Sequence, residues 1–305
     1  MLHGLGTSTL RTDSTTGKDG IVSSQADYMY SRSYRGRIKG VVLDWSGTTA
    51  DAYVIAPAVV FVEVFKNKGV DISMTEARGP MGLRKDLHIR KLTEDPDIRE
   101  RWKGVHGTYP TDADVDTMFE NFVPLQIECL REYTTLLPGV ADVCKRIQQS
   151  GIKIGISTGF FRSMVDVLEA DAKKQGFVPD ASVAGDEVEN GARPKPFMVY
   201  RNLDLMDIHP IQAVIKVDDT VSGVGEALEA GCWGVGVARY SNYMDINSME
   251  EAESLPEEEI ERRVEKTREI LRQTGAHYVI DSITDLEPVI EDINTRLARG
   301  ESPQG

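Results

Sequence analysis

Short β-rich apolar runs alternating with stretches of helical spacing predict an α/β protein, a parallel sheet covered by helices on both faces. Three observations carry this. Apolar runs recur at Ile38–Asp44, Ile152–Ser157, Ala213–Asp218 and Gly234–Ala238, with a further candidate at His277–Asp281. Helical periodicity fills most of the intervals, as at Val140–Gln149 and Met164–Lys174. One long interval, Tyr53 to Leu137, breaks the alternation and reads as helix alone. The expected architecture is a Rossmann-like, doubly wound parallel sheet core with an inserted helical cap domain.

Taken in order, residues 1–37 are rich in Ser, Thr and Gly and lack apolar periodicity, so a flexible N-terminal tail is expected. No secretory apolar stretch is present, and Asp13, Asp19 and Asp27 run against a transit peptide. The core opens at Ile38, occupies 38–52 and 138–305, and is interrupted by the cap at 53–137. Within the cap, helices are expected over Ala58–Lys68, from Met74–Ala77 onward through Lys91, and over Asp112–Arg131. Near the C-terminus, Pro256–Gln273 pairs Glu258 with Arg262 and Glu259 with Arg263 at i,i+4, the pattern of a solvated helix face.

Composition excludes classes of function. The 305 residues carry 35 Lys+Arg against 49 Asp+Glu, a net charge of −14, which argues against a general nucleic-acid binder. No apolar run approaches the roughly 20 residues needed to cross a bilayer. The three cysteines, Cys129, Cys144 and Cys232, lie far apart and form no CxxC pair, so buried thiols in a reducing, cytoplasmic compartment are the expectation.

The chemistry collects at strand ends. VVLDWSGTT places Asp44 at the end of the first strand before a small, Gly-containing turn whose amides can surround an anion. ISTGF places Thr158 and Gly159 after the second strand, ARPKP places Arg193 in a proline-bounded loop, and IKVDDT places Asp218 and Asp219 after the third. Together they supply a carboxylate nucleophile, a hydroxyl donor, a fixed cation and carboxylates for Mg²⁺. In open parallel sheets ligands bind beyond the carboxyl ends of the strands, which is where these residues stand.

This ordered set resembles the haloacid dehalogenase superfamily of phosphoryl-transfer enzymes with an inserted cap. The resemblance implies that Asp44 attacks phosphorus, that Thr158, Gly159 and Arg193 hold the substrate, and that Asp44, Ser46 (through its backbone carbonyl) and Asp219 hold Mg²⁺. Most phosphatases of that superfamily carry a second Asp two positions after the nucleophile; here the position is Ser46, a poor general acid near neutral pH.

The cap segment ARGPMGLRKDLHIRKL places Lys85 and His88 three residues apart on one helix face, with Met81 one turn earlier. On its own, a helical lysine is a solvated charge and a helical histidine a packing residue. PMGL-x-K-x-x-H, however, is similar to the cap segment of the phosphonatase (phosphonoacetaldehyde hydrolase) family, whose nucleophile motif also lacks the second Asp. RIQQSGIKIGISTGF, IKVDDTVS and TGAHYVIDSI extend the resemblance to the C-terminal region. It implies that Lys85 forms a Schiff base with a phosphonate aldehyde, that Met81 lines the substrate site and that His88 shuttles protons. It also implies a homodimer formed through the cap domains, acting in the cytoplasm on a small-molecule phosphonate in 2-aminoethylphosphonate breakdown.

Several positions depart from that pattern. Gly223 replaces an Asp four residues after Asp219, Asp218 stands where Gly is usual, Phe160 and Lys195 replace tyrosines, and Ser46 replaces alanine. Lys195 is read either as a phosphonate contact or as a solvent-facing charge. Two other functions stay open on the residues: a Mg²⁺-dependent phosphatase of a small phosphorylated metabolite, and a non-catalytic phosphonate-binding relative.

Overall fold

The computed structural model describes residues 33–304 apart from Ala192, so most of the expected N-terminal tail lies outside the described residues. β1 (Gly40–Leu43), β2 (Lys153–Thr158), β3 (Ala181–Ala184), β4 (Val214–Asp218), β5 (Trp233–Val237) and β6 (Tyr278–Ile280) form one sheet in the order β3-β2-β1-β4-β5-β6. Every neighbouring pair is parallel. β1, β4 and β5 are buried along their whole length, which is why they read as largely apolar runs without period-two alternation, Lys216 and Asp218 in β4 excepted.

β3 has no counterpart in the sequence reading. It is a four-residue edge strand whose first two residues are half-exposed, too short and too mixed to show a period.

The strand order reverses direction on either side of β1, since the chain builds outward to β3 and then returns to lay β4 against β1's other edge. That reversal opens a crevice at the carboxyl ends of β1 and β4. The core helices α6 (Val140–Gln149), α7 (Arg162–Lys174), α8 (Phe197–Met206), α9 (Val221–Ala230), α11 (Glu257–Gln273) and α12 (Leu286–Ala298) surround the sheet, with the short α10 (Met249–Ser254) before α11.

Between β1 and α6 lies the helical cap: α1 (Ile55–Lys66), α2 (Met74–Arg78), α3 (Lys85–Glu94), α4 (Pro96–His106) and α5 (Asp112–Leu130). Its helix starts are written in the sequence. Ser73 with Glu76 and Thr111 with Asp114 close capping boxes on α2 and α5, and Asp95 caps α4 ahead of Pro96. The cap core is aromatic: Phe61 of α1 stacks on Phe122 of α5 at 4.6 Å between centroids. Truncating either ring to alanine would cost roughly 3–5 kcal/mol by the usual cavity arithmetic.

One cap residue reaches into the core. The buried guanidinium of Arg78 donates to Tyr53 O at 2.6 Å and to Asn242 Oδ1 at 3.1 Å, and also to Ile246 O. Asn242 in turn donates its backbone N–H to Asp219 Oδ2 at 2.9 Å. The cap is thereby tied to the loop that holds an acidic site residue.

Candidate active site

Asp44 follows β1 directly, and its backbone N–H continues the sheet by donating to Val217 O at 3.1 Å. The chain then curls over residues 45–50, with the amides of Thr48, Thr49 and Ala50 all directed at Trp45 O and the Thr49 hydroxyl on Asp44 O at 2.6 Å. Gly47 at φ +76° makes the curl possible: a Cβ there would lie 2.5 Å from Asp219 Oδ2.

A small enclosed cavity lies where cap meets core. Asp44, Ser46, Thr158, Gly159, Phe160, Arg193 and Asp219 line it from the core side, and Met81, Gly82 and Lys85 from the cap. Every site residue expected from sequence is therefore in one place except His88. The His88 ring stands behind, stacked on Phe61 at 3.7 Å with Nε2 against Ala77 O at 2.8 Å. Burial, then the neighbouring Lys85 charge, pushes its basicity well below the usual histidine range.

Cap and core meet at glycines. A Cβ on Gly159 would stand 2.6 Å from Leu83 O, and one on Gly82 would stand 2.1 Å from Ser222 Oγ. These contacts bring the Met81–Arg84 loop onto the strand ends and deliver Lys85, the first residue of α3, to the cavity.

Lys85 is 4% exposed. Its Nζ lies 4.5 Å from the Phe160 ring centroid and 5.7 Å from that of Phe61, and among the described residues no carboxylate comes within ion-pair distance. Burial pulls its pKa down to about 8 in spite of the Asp44 charge, which opposes it.

Arg193 is held differently. Nη2 meets Asp44 Oδ1 at 3.0 Å, Nη1 lies 3.2 Å from Asp218 Oδ2, and Nε meets Glu226 Oε2 at 3.0 Å. Burial works to lower its pKa, but Asp218, Asp44 and Glu226 overrule burial and hold it well above the usual arginine range. Lys216, buried in β4, adds a second fixed cation at 2.7 Å from Asp218 Oδ2. Against the pull of burial, Arg193 and Lys216 keep the Asp218 carboxyl below its ordinary range.

Asp219 has no such support. Its Oδ1 is buried without a hydrogen-bond partner, and burial followed by the charges of Asp218 and Asp44 drives its pKa well above the carboxylate range. Asp44, Asp218 and Asp219 each offer one carboxylate oxygen, all within 4.8 Å of one another. An oxygen-only donor set with one orphaned atom and a like-charge conflict fits a hard dication.

Sequence reasoning missed Lys216, Glu226 and Arg78. Lys216 had a signal: a lysine inside an otherwise apolar strand has to be paired once the strand is buried on both faces. Glu226 lies three residues after Gly223 on the inward face of α9, a spacing that was available to read. Lys195 points away from the cavity: it is exposed and donates to Asn190 O at 3.1 Å, which favours the solvent-facing reading.

A parallel sheet with a nucleophile-type Asp at its central switch point, roofed by an inserted helical cap, defines a class of hydrolase. Residues 38–231 match the profile of the haloacid dehalogenase-like hydrolases. The chain is 42% identical over 257 residues to phosphonoacetaldehyde hydrolase of Bacillus cytotoxicus, covering 84% of this chain and 97% of that one. It is 38% identical over 276 residues to the enzyme of the same name from Nitratidesulfovibrio vulgaris, covering 90% and 98%. The crystal structure of a phosphonoacetaldehyde hydrolase-like protein from Oleispira antarctica superposes with a TM-score of 0.87 at 35% identity, covering 90% of this chain and 99% of that one. The chain belongs to the haloacid dehalogenase-like hydrolases and, within them, to the phosphonoacetaldehyde hydrolase family.

Proposed function

We propose that the protein hydrolyses the P–C bond of phosphonoacetaldehyde to acetaldehyde and phosphate, in the breakdown of 2-aminoethylphosphonate. One observation carries the reading. A buried lysine with no carboxylate partner among the described residues, its pKa about 8, shares one small cavity with the strand-end Asp44.

The chemistry requires both. Carbon is a poor leaving atom, and protonating an ester-type oxygen cannot help, because there is none. Neutral Lys85 adds to the aldehyde carbon, and loss of water with uptake of one proton gives an iminium. Asp44 then attacks phosphorus; the P–C electron pair moves into the iminium and leaves as an enamine. Protonation at carbon returns the iminium, and water releases acetaldehyde, the free amine and the proton taken up on iminium formation. A second water hydrolyses the aspartyl-phosphate and restores Asp44.

Arg193, with Thr158 and Gly159, binds the phosphonyl oxygens, and Met81 closes the apolar side. The proton traffic of imine formation is assigned to His88: with Nε2 directed at Ala77 O, its Nδ1 keeps a free lone pair and has no partner among the described residues. Asp44, Asp219 and the Ser46 backbone carbonyl would hold Mg²⁺, which when bound supplies positive charge at the phosphonyl oxygens.

The division into a core at 38–52 and 138–305 and a cap at 53–137 is part of the proposal, with the cap as the moving body. So is a cytoplasmic homodimer joined through the caps. Val59, Val105 and Tyr109 stay exposed on the cap of the single chain and are available to that interface.

The test is reduction with borohydride in the presence of phosphonoacetaldehyde, followed by peptide mass spectrometry. An adduct on Lys85 is expected. Acetaldehyde release without that adduct would end the Schiff-base mechanism. Turnover of phosphate esters in place of phosphonates would make the protein a phosphatase, and Mg²⁺ and phosphonate binding without turnover of either would make it a binding protein.

A further inference from the structure

Arg78 ends the short cap helix α2 and lies outside the cavity lining, yet it is 4% exposed. Each of its nitrogens has a partner. Nη1 donates to Tyr53 O at 2.6 Å and to Asn242 Oδ1 at 3.1 Å, Nη2 donates to Ile246 O, and Nε donates to Asn247 Oδ1 at 3.3 Å. All these acceptors are uncharged, and among the described residues no carboxylate comes within ion-pair distance of the guanidinium. Burying a cation is costly, and neutral acceptors offset that cost only when the donors are met together. One cap side chain therefore bridges both ends of the core loop 242–247.

The loop is tied in turn to the acidic cluster. Asn242 Nδ2 donates to Arg78 O at 3.2 Å, so residues 78 and 242 exchange hydrogen bonds. The backbone N–H of Asn242 donates to Asp219 Oδ2 at 2.9 Å, and the neighbouring Ser241 hydroxyl donates to Asp219 O at 2.8 Å. One carboxylate oxygen of Asp219 is thus held by this loop, while Oδ1 has no partner among the described residues.

We propose that Arg78 is a positioning residue for the candidate metal site: seated between residues 242 and 247, it fixes the Asn242 N–H on Asp219 Oδ2 and so leaves Oδ1 for the cation. It acts through Asn242 and touches no reacting atom. The seating of α2 on the core and the affinity for the metal then depend on one arrangement, and by linkage each favours the other. The inference rests on the reading that Asp219 holds Mg²⁺, and it is independent of whether the bond cleaved is P–C or P–O.

The experiment compares R78K, N242A and the double variant R78K/N242A with the parent, all full length. Mg²⁺ affinity is measured by calorimetry without substrate, and amide hydrogen exchange by mass spectrometry with and without Mg²⁺. R78K keeps the charge, but the three donors of an ammonium cannot serve the acceptors on Tyr53, Asn242, Ile246 and Asn247 at once. Each single variant should weaken Mg²⁺ binding roughly 10- to 100-fold, the usual cost of losing a partner behind the metal ligands. The double variant should fall within about threefold of the weaker single, because both substitutions cut the same link. Mg²⁺ should slow exchange over α2 in the parent and not in R78K. Parent-like Mg²⁺ affinity in either single variant, effects that add in the double, or an α2 whose exchange ignores Mg²⁺ in the parent overturns the proposal. Should R78K fail to fold, N242A decides by the same two measurements. If the parent binds no Mg²⁺, the metal reading fails, and the hold on Asp219 is judged by exchange over residues 241–247. That exchange should quicken in R78K, and an unchanged rate, or a quickening spread equally over the whole sheet, overturns it.

Discussion

Two cations are buried at the same cavity, and they are treated in opposite ways. Arg193 comes from the core and has a carboxylate on each of its nitrogens. Lys85 comes from the cap and has two aromatic faces and, among the described residues, no carboxylate. Equal burial therefore produces opposite outcomes: one group is locked in its charged form, and the other is brought within reach of deprotonation. The difference lies in the partners and matches the two jobs in the proposed mechanism of P–C cleavage, a permanent anion clamp and an amine that attacks as a free base.

The comparison can be broken most severely at Lys85. Lys85→Met keeps the volume and the packing on Phe160 but removes the amine; turnover of phosphonoacetaldehyde should fall on the order of 10⁴-fold or more, with no borohydride adduct. Steady-state assay and mass spectrometry check this.

Arg193→Lys keeps the charge and loses the fork. One ammonium cannot serve three carboxylates, so at least one buried acid is left unpaired, at about 3 kcal/mol of unfolding free energy in urea titration.

Glu226→Gln is milder. The Nε contact survives as a hydrogen bond to an uncharged amide oxygen, and kcat/KM should drop roughly tenfold, in line with about 1.4 kcal/mol for the lost ion pair.

Phe160→Leu sharpens the comparison from the other side. The ring face stabilises the ammonium, so removing it should lower the Lys85 pKa below its value of about 8 by roughly one unit. The rate of adduct trapping should rise with pH through about 8 in the parent, as the neutral amine appears, and through a correspondingly lower pH in the variant. An unshifted curve would mean that the ring does not set the charge state.

Much of this was legible in the sequence where local pattern and function coincide. Asp44, Thr158 and Asp219 end apolar strands, and strand ends are where a parallel sheet binds ligands, so their position and chemistry pointed the same way. The cap helices announced themselves by period, although α4 went unread because its inward face offers only Ile98 and Trp102. What was not legible depends on distant packing. Nothing near Arg78 in the chain says that its guanidinium will be threaded into residues 242–246. Glu226 and Lys216 become site residues only when α9 and β4 close around Arg193. Gly223 reads as a lost acid until the three-dimensional volume shows what fills it.

The seam between cap and core has a consequence of its own. Gly82 and Gly159 meet their neighbours with no side chain between, so the smallest addition, a single methyl, acts there as a wedge. On the proposed mechanism, a cap held ajar would let solvent reach the enamine and the acyl phosphate, and would carry the Lys85 amine away from Asp44. Two residues with no side chain thus set the fit of the seam between cap and core.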